Sequence, residues 1–137
     1  MVTLSAVFDR ESAVDPILVR TQDELGALIE RVRTAATGLP CPPIVTIGEA
    51  DDPWGSPILE AGIGEDRGFV RETWNPMRVT RGDLSATGVL VYDFQAHPAD
   101  IPADQAVSLD VVREVLAAYL AHDTRIPADF PHLHIVS

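Results

Sequence analysis

A chain of 137 residues with 46% hydrophobic content is long enough to bury a core and too apolar for a disordered polymer. Its formal net charge of -11 repels nucleic acid and favours basic partners, although solubility alone also accounts for such a charge. No apolar run nears the roughly 20 residues of a membrane-spanning helix, Met1 to Ser5 lacks the basic start of a signal peptide, and Cys41, the single cysteine, excludes an internal disulfide, so a cytoplasmic protein is expected.

Residues 4–8 read as a first strand, and the polar run Asp9-Arg10-Glu11-Ser12 as the turn that ends it. Pro16 opens a second short strand over 16–20, a position where proline is tolerated. Thr21-Gln22-Asp23-Glu24 has the form of a capping box. The helix it starts runs to about Ala36, with Leu25, Leu28, Ile29 and Val32 on one stripe and Gly38 and Pro40 as stop signals. A strand follows over 43–47, then an acidic loop over 49–55 that carries Trp54.

Residues 58–63 and 69–74 read as a β-hairpin whose glycines supply the positive φ angles of a tight turn. An even-numbered turn centred on Asp66 and Arg67 sets Gly64 opposite Phe69, an aromatic covering a strand glycine. Leu59, Ala61, Ile63, Val70 and Trp74 then share one face with Glu72 as its polar intruder. Ile58, Glu60, Phe69, Arg71 and Thr73 share the other, with Glu60 and Arg71 as diagonal neighbours of opposite sign. Beyond Asn75-Pro76, residues 77–80 form a short edge strand and Arg81-Gly82-Asp83 a turn. The nearly apolar run 89–94 is expected at the centre of the sheet, and residues 97–107, with Pro98 and Pro102, as a loop. Ser108 caps a second helix over 109–122 that buries Val112, Val115, Leu116 and Tyr119. A proline-bounded connection leads to a last strand over 133–136. The expected fold class is α+β, a mainly antiparallel β-sheet with two helices packed on it, and residues 1–137 read as one domain without a dividing linker.

Few residues suggest chemistry. His132 and His134, two apart on a strand, would point the same way, but a metal site needs a third ligand and none is near. Cys41 has no base close in sequence and reads as a small packing residue. Gly62, Gly64 and Gly68 lack the spacing of a nucleotide loop, and no helix follows them. Asp93 is the one acid inside an apolar strand, either a base with a raised pKa or a residue on an open sheet face. Trp74 falls on the expected core face, whereas Trp54 lies amid acids, as an interface anchor does; folding back onto the core is its other reading. No cofactor or metal is expected.

Charge falls in blocks. Glu49, Asp51, Asp52, Glu60, Glu65 and Asp66 form a stretch without a base. Arg67, Arg71, Arg78 and Arg81 follow with Glu72 as the only acid among them, and then Asp83, Asp93, Asp100, Asp104 and Asp110 without a base. Solvated surface is the usual explanation of such blocks, but a face assembled from both acidic ones would suit a basic partner. The ten basic residues are all arginine, which reads as the codon usage of a GC-rich genome.

Several segments together resemble a known family. They are the helix Asp23-Glu24-Leu25-Gly26-Ala27-Leu28-Ile29-Glu30-Arg31-Val32, the hairpin from Gly62 to Val70, the turn Arg81-Gly82-Asp83, the strand Val91-Tyr92-Asp93-Phe94, and the run Val107 to Glu114 with Tyr119-Leu120. In this order and spacing they are similar to the first numbered family of immunity proteins of bacterial polymorphic toxin systems, common in actinobacteria. The chain departs from the family's pattern at its end, where a proline followed by a tryptophan is usual; residues 125–134 here read Arg-Ile-Pro-Ala-Asp-Phe-Pro-His-Leu-His. The resemblance implies a non-enzymatic inhibitor that binds a co-encoded toxin domain, often a nuclease or deaminase with a basic cleft, and blocks its active site. Charge and aromatic placement put Glu49, Asp51, Asp52 and Trp54 at the centre of the partner-binding surface, with Glu65, Asp66, Asp100 and Asp104 at its rim. Two other classes stay open: a ligand-binding or enzymatic domain using Asp93 or His97, and a regulatory homodimer joined through an edge strand.

Overall fold

The computed structural model describes residues 2–136, so Met1, read above as part of the amino-terminal run, lies outside the described residues. In chain order the elements are β1 (Leu4–Val7), α1 (Arg10–Val14), β2 (Ile17–Val19), α2 (Gln22–Ala36), β3 (Ile44–Glu49), β4 (Ile58–Ile63), β5 (Arg67–Thr73), β6 (Arg78–Val79), β7 (Val89–Phe94), β8 (His97–Pro102), a 3-10 turn (Ala103–Gln105), β9 (Val107–Ser108), α3 (Leu109–Ala121) and β10 (His134–Ile135). The main sheet runs β10-β6-β5-β4-β3-β1-β2, with β9 paired to β5, and all its ladders are antiparallel. The fold is α+β.

The two long helices form where the sequence signals lie. The Thr21 hydroxyl accepts from the Glu24 N–H at 3.1 Å, satisfying one of the donors that a helix start leaves free. The Glu24 carboxylate reaches past Thr21 and accepts from the Arg20 N–H at 2.8 Å. The Ser108 hydroxyl caps α3 by accepting from Val111. All eight expected stripe residues of α2 and α3 are buried, against Leu4, Ala6, Val45, Ile47, Leu59, Ala61, Ile63 and Val70 on one face of the sheet.

The hairpin keeps its even turn but shifts by one pair. Gly62 lies opposite Phe69, Glu60 directly opposite Arg71, and the turn centres on Glu65 and Asp66, closed by the Gly64 N–H on the Arg67 carbonyl. A shift of this kind preserves which residues share a face, so up to Thr73 the two faces are as expected. Phe69 therefore covers Gly62 rather than Gly64. The hairpin glycines do not carry positive φ angles; their role is room, since a Cβ on Gly62 would lie 2.3 Å from the Phe69 ring and one on Gly68 2.0 Å from the Gly62 carbonyl oxygen.

Further expectations fail, each for a physical reason. Residues Asp9 to Ser12 open a short helix instead of a turn, because Asp9 and Ser12 cap each other reciprocally. Strand 89–94 is not central in the main sheet. It pairs with β8, over residues expected to be loop, in a separate two-stranded sheet. That hairpin turns tightly at Gln95 and Ala96, both at positive φ, and covers one end of the other face of the main sheet through Ile44, Phe69, Tyr92 and Ile101. Trp74 lies just past β5 and is 42% exposed, because the buried face ends at Glu72. The last strand is limited to β10, so His132 precedes it, meets the Glu114 carboxylate, and shares no strand face with His134.

Glu72 is buried because Arg78 is buried beside it. Two parallel bonds of 2.7 and 2.8 Å join guanidinium and carboxylate, and the remaining Arg78 donors reach the carbonyls of Ile126 and Pro127. This buried pair pins the segment after α3 to the sheet.

Candidate partner-binding surface

The loop between β3 and β4 is a built turn rather than a slack connection. The Ala50 N–H donates to the Thr3 carbonyl at 2.9 Å, which fixes its entry. The Asp52 carboxylate accepts from the Gly55 N–H at 3.2 Å, a local turn that aspartate favours. A Cβ at Gly55 would lie 2.1 Å from that carboxylate, so a larger residue there would have to displace the Asp52 side chain. Its exit is held by Arg125, whose guanidinium donates to the Gly55 carbonyl at 3.0 Å and sits 5.6 Å over the Trp74 ring. The result is a loop that displays Trp54 at 87% exposure, so the fold-back reading of Trp54 is overturned. Asp51 and Asp52 are exposed around it, and Glu49, at the end of β3, is half-buried.

Arg125 also brings the loop beside a second apolar group. Trp74 and Met77 are exposed beyond β5, and Ile135 and Val136 beyond β6, where the Val136 N–H donates to the Met77 carbonyl. An exposed tryptophan flanked by further apolar side chains and rimmed by carboxylates has the composition of a protein-contact surface.

The eight residues read from the sequence do not form one patch. Glu65 and Asp66 occupy the β4–β5 turn, at the far end of the hairpin from Trp54, a strand length of about 20 Å away at roughly 3.3 Å per residue. Asp100 lies on β8 opposite Val91, and Val91 lines the same cleft as Asp66. Asp104 sits in the 3-10 turn, where its carbonyl accepts from Gly82, three residues before Val107 pairs with Gly68. Glu49, Asp51, Asp52 and Trp54 thus form one end, and Glu65, Asp66, Asp100 and Asp104 surround the other.

The residues of the other classes have local roles. The Asp93 carboxylate accepts from the Ala96 N–H at 2.8 Å and closes its own hairpin turn, and His97 is exposed at the start of β8. Among the described residues, no three of histidine, cysteine, aspartate or glutamate converge as metal ligands would, and no helix is long and apolar enough to cross a membrane. The cleft beside Asp66 is what sequence reasoning missed. Its one signal was the rigid run Leu39-Pro40-Cys41-Pro42-Pro43, which reads as a connection.

A family model described as Immunity protein Imm1 matches residues 13–137. None of the curated proteins matches the chain.

Proposed function

The chain belongs to the Imm1 family of immunity proteins, and from that premise we propose that it neutralises a co-encoded toxin by binding the toxin domain and blocking its active site, as a stoichiometric inhibitor and not an enzyme. The observation that carries the choice of surface is Trp54, 87% exposed on a loop held in shape by Asp52, Gly55 and Arg125. A large rigid aromatic on a preformed loop loses little entropy when it is buried at an interface, which is why tryptophan dominates binding hot spots. Glu49, Asp51 and Asp52 surround it with negative charge. The net charge of -11 supports a basic partner surface, such as the cleft of a nuclease or deaminase domain acting on nucleic acid in the cytoplasm. Glu65, Asp66, Asp100 and Asp104 extend that field to the opposite end. Residues 1–137 act in this reading as one binding domain, without a cofactor and without contact to nucleic acid or membrane.

The test is co-expression with the toxin domain encoded in the neighbouring gene, scoring survival and complex formation. Wild type is expected to protect and to co-purify with the toxin. Trp54→Ala is expected to raise the dissociation rate about tenfold or more, equivalent to roughly 1.4 kcal/mol. Absence of both protection and complex with the wild type would refute the immunity reading. Equal binding by Trp54→Ala would leave that reading standing and remove Trp54 from the site.

A further inference from the structure

At the end of the molecule opposite Trp54, the connection after α2, the β4–β5 turn and β7 enclose a cleft of about 590 Å³. Leu39, Pro40 and Pro42 form one wall and Leu90 and Val91 another, with Glu65, Asp66 and Arg67 on the lip. The cleft is preformed. Arg33 of α2 donates to the Glu65 carbonyl at 2.7 Å and holds the turn against the helix, and Asp93 donates its N–H to the Pro42 carbonyl at 2.8 Å and holds β7 against the proline run.

Its floor is a buried aromatic ring with an unpartnered polar end. Tyr92 is only 3% exposed, packed edge-on against Phe69 with ring centroids 4.9 Å apart. It lines the cleft, yet its hydroxyl makes no hydrogen bond to any described residue. The ring is buried, but the hydroxyl is not sealed in the core; it opens on the cleft and is available to a ligand. The carboxylates of Glu65 and Asp66 likewise form no ion pair among the described residues. One hydroxyl and two carboxylates, all able to accept hydrogen bonds, therefore border an apolar slot. With Arg67 counted the lip remains net negative, and Asp100 adds a further negative charge one strand away.

We propose that this cleft is a second docking site for the toxin, and that it receives a protruding loop that inserts an arginine. The inference rests on the immunity reading and adds a partner chemistry to it. An arginine stem is apolar and suits Leu39, Pro40, Pro42 and Leu90, while the guanidinium is a planar donor matched to carboxylates and able to lie against an aromatic ring. It satisfies the Tyr92 hydroxyl and the two acids together. The volume exceeds that of one side chain, so flanking residues of the loop enter as well. Charge selects this occupant: an acidic loop would meet Glu65 and Asp66 with like charge, and a wholly apolar one would cover these three polar groups without giving them partners.

The experiment measures affinity for the neighbouring-gene toxin domain, its active site disabled, using the wild type and three variants. Tyr92→Phe removes the hydroxyl and keeps the ring packing. Asp66→Asn removes one charge, and Leu39→Arg fills the slot with the charge it should receive. Unchanged melting temperatures establish that each variant folds. Each variant is expected to weaken the complex about fivefold or more, and Leu39→Arg most of all. Wild-type affinity in all three, with the wild type bound, would overturn the cleft proposal and leave the immunity reading intact. Failure of the wild type to bind would overturn both.

Discussion

Two buried side chains decide more stability than their neighbours because they carry polar atoms into the core. Tyr119 is fully buried on α3, and its hydroxyl donates to the Pro57 carbonyl at 2.5 Å, with the Ile47 carbonyl at 3.3 Å. Tyr119→Phe keeps the ring and strands those carbonyls, so a loss of about 1–3 kcal/mol is expected in urea unfolding at neutral pH. Burial, with the negative charges of Glu49 and Glu72 adding to it, pushes the Tyr119 hydroxyl well above its ordinary value of 10.0. The folded state therefore holds a proton that the unfolded chain releases once the pH passes about 10, and stability falls from there upward. Tyr119→Phe lacks this loss, so the gap between variant and wild type should narrow above pH 10; a constant gap would contradict it. The second side chain is Glu72, whose partner Arg78 is also buried. Glu72→Ala leaves an uncompensated buried cation and should cost about 3–5 kcal/mol. Glu72 was legible as a polar intruder on an apolar face. Its partner was not, because strand alternation says which face a residue takes and not what meets it from the next strand.

Among the elements, the helices were the most legible. Their periodicity and caps are local, and α2 and α3 bury the stripes that spacing alone assigns. Leu28→Ala on α2 should accordingly cost about 2–5 kcal/mol in chemical denaturation, and a loss under roughly 0.5 kcal/mol would place Leu28 outside the core. The second hairpin was illegible for two reasons. In β7, Val89 and Val91 face outward between the inward Leu90, Tyr92 and Phe94, so a one-sided strand reads as one buried on both faces. In β8, Pro98 and Pro102 suppress the strand signal, although a strand of a two-stranded sheet tolerates proline. The hairpin seats on Gly62, where a side chain would collide with the rings of Phe69 and Tyr92. Rings can shift and a backbone carbonyl cannot, so Gly68→Ala, which meets the Gly62 carbonyl, should lower the melting temperature more than Gly62→Ala. The reverse order would show that β5 moves more readily than the covering hairpin.

At the scale of the whole molecule, the acidic blocks were legible as charge and illegible as geometry. Composition gives the net charge of -11, but only the β4–β5 register shows that Trp54 and Asp66 stand at opposite ends of one hairpin. That separation, about 20 Å by strand length, is twice the screening length of roughly 10 Å at 0.1 M salt. The ends therefore act together on an approaching cationic partner at low salt and separately at physiological salt. Rim charges steer encounter, whereas a desolvated aromatic resists separation. The paired substitution Asp100→Asn with Asp104→Asn should lower the association rate for the toxin and flatten its dependence on ionic strength, with little change in dissociation. Trp54→Ala should do the opposite, raising dissociation and leaving the salt dependence of association intact. Because the sets are remote, the combined variant should show the product of the two effects, within the few tenths of a kcal/mol expected for independent sites. Stopped-flow mixing across a salt series measures both rates. A salt dependence that persists unchanged after both aspartates are neutralised would move the steering field to the Trp54 end, where Glu49, Asp51 and Asp52 would then supply it.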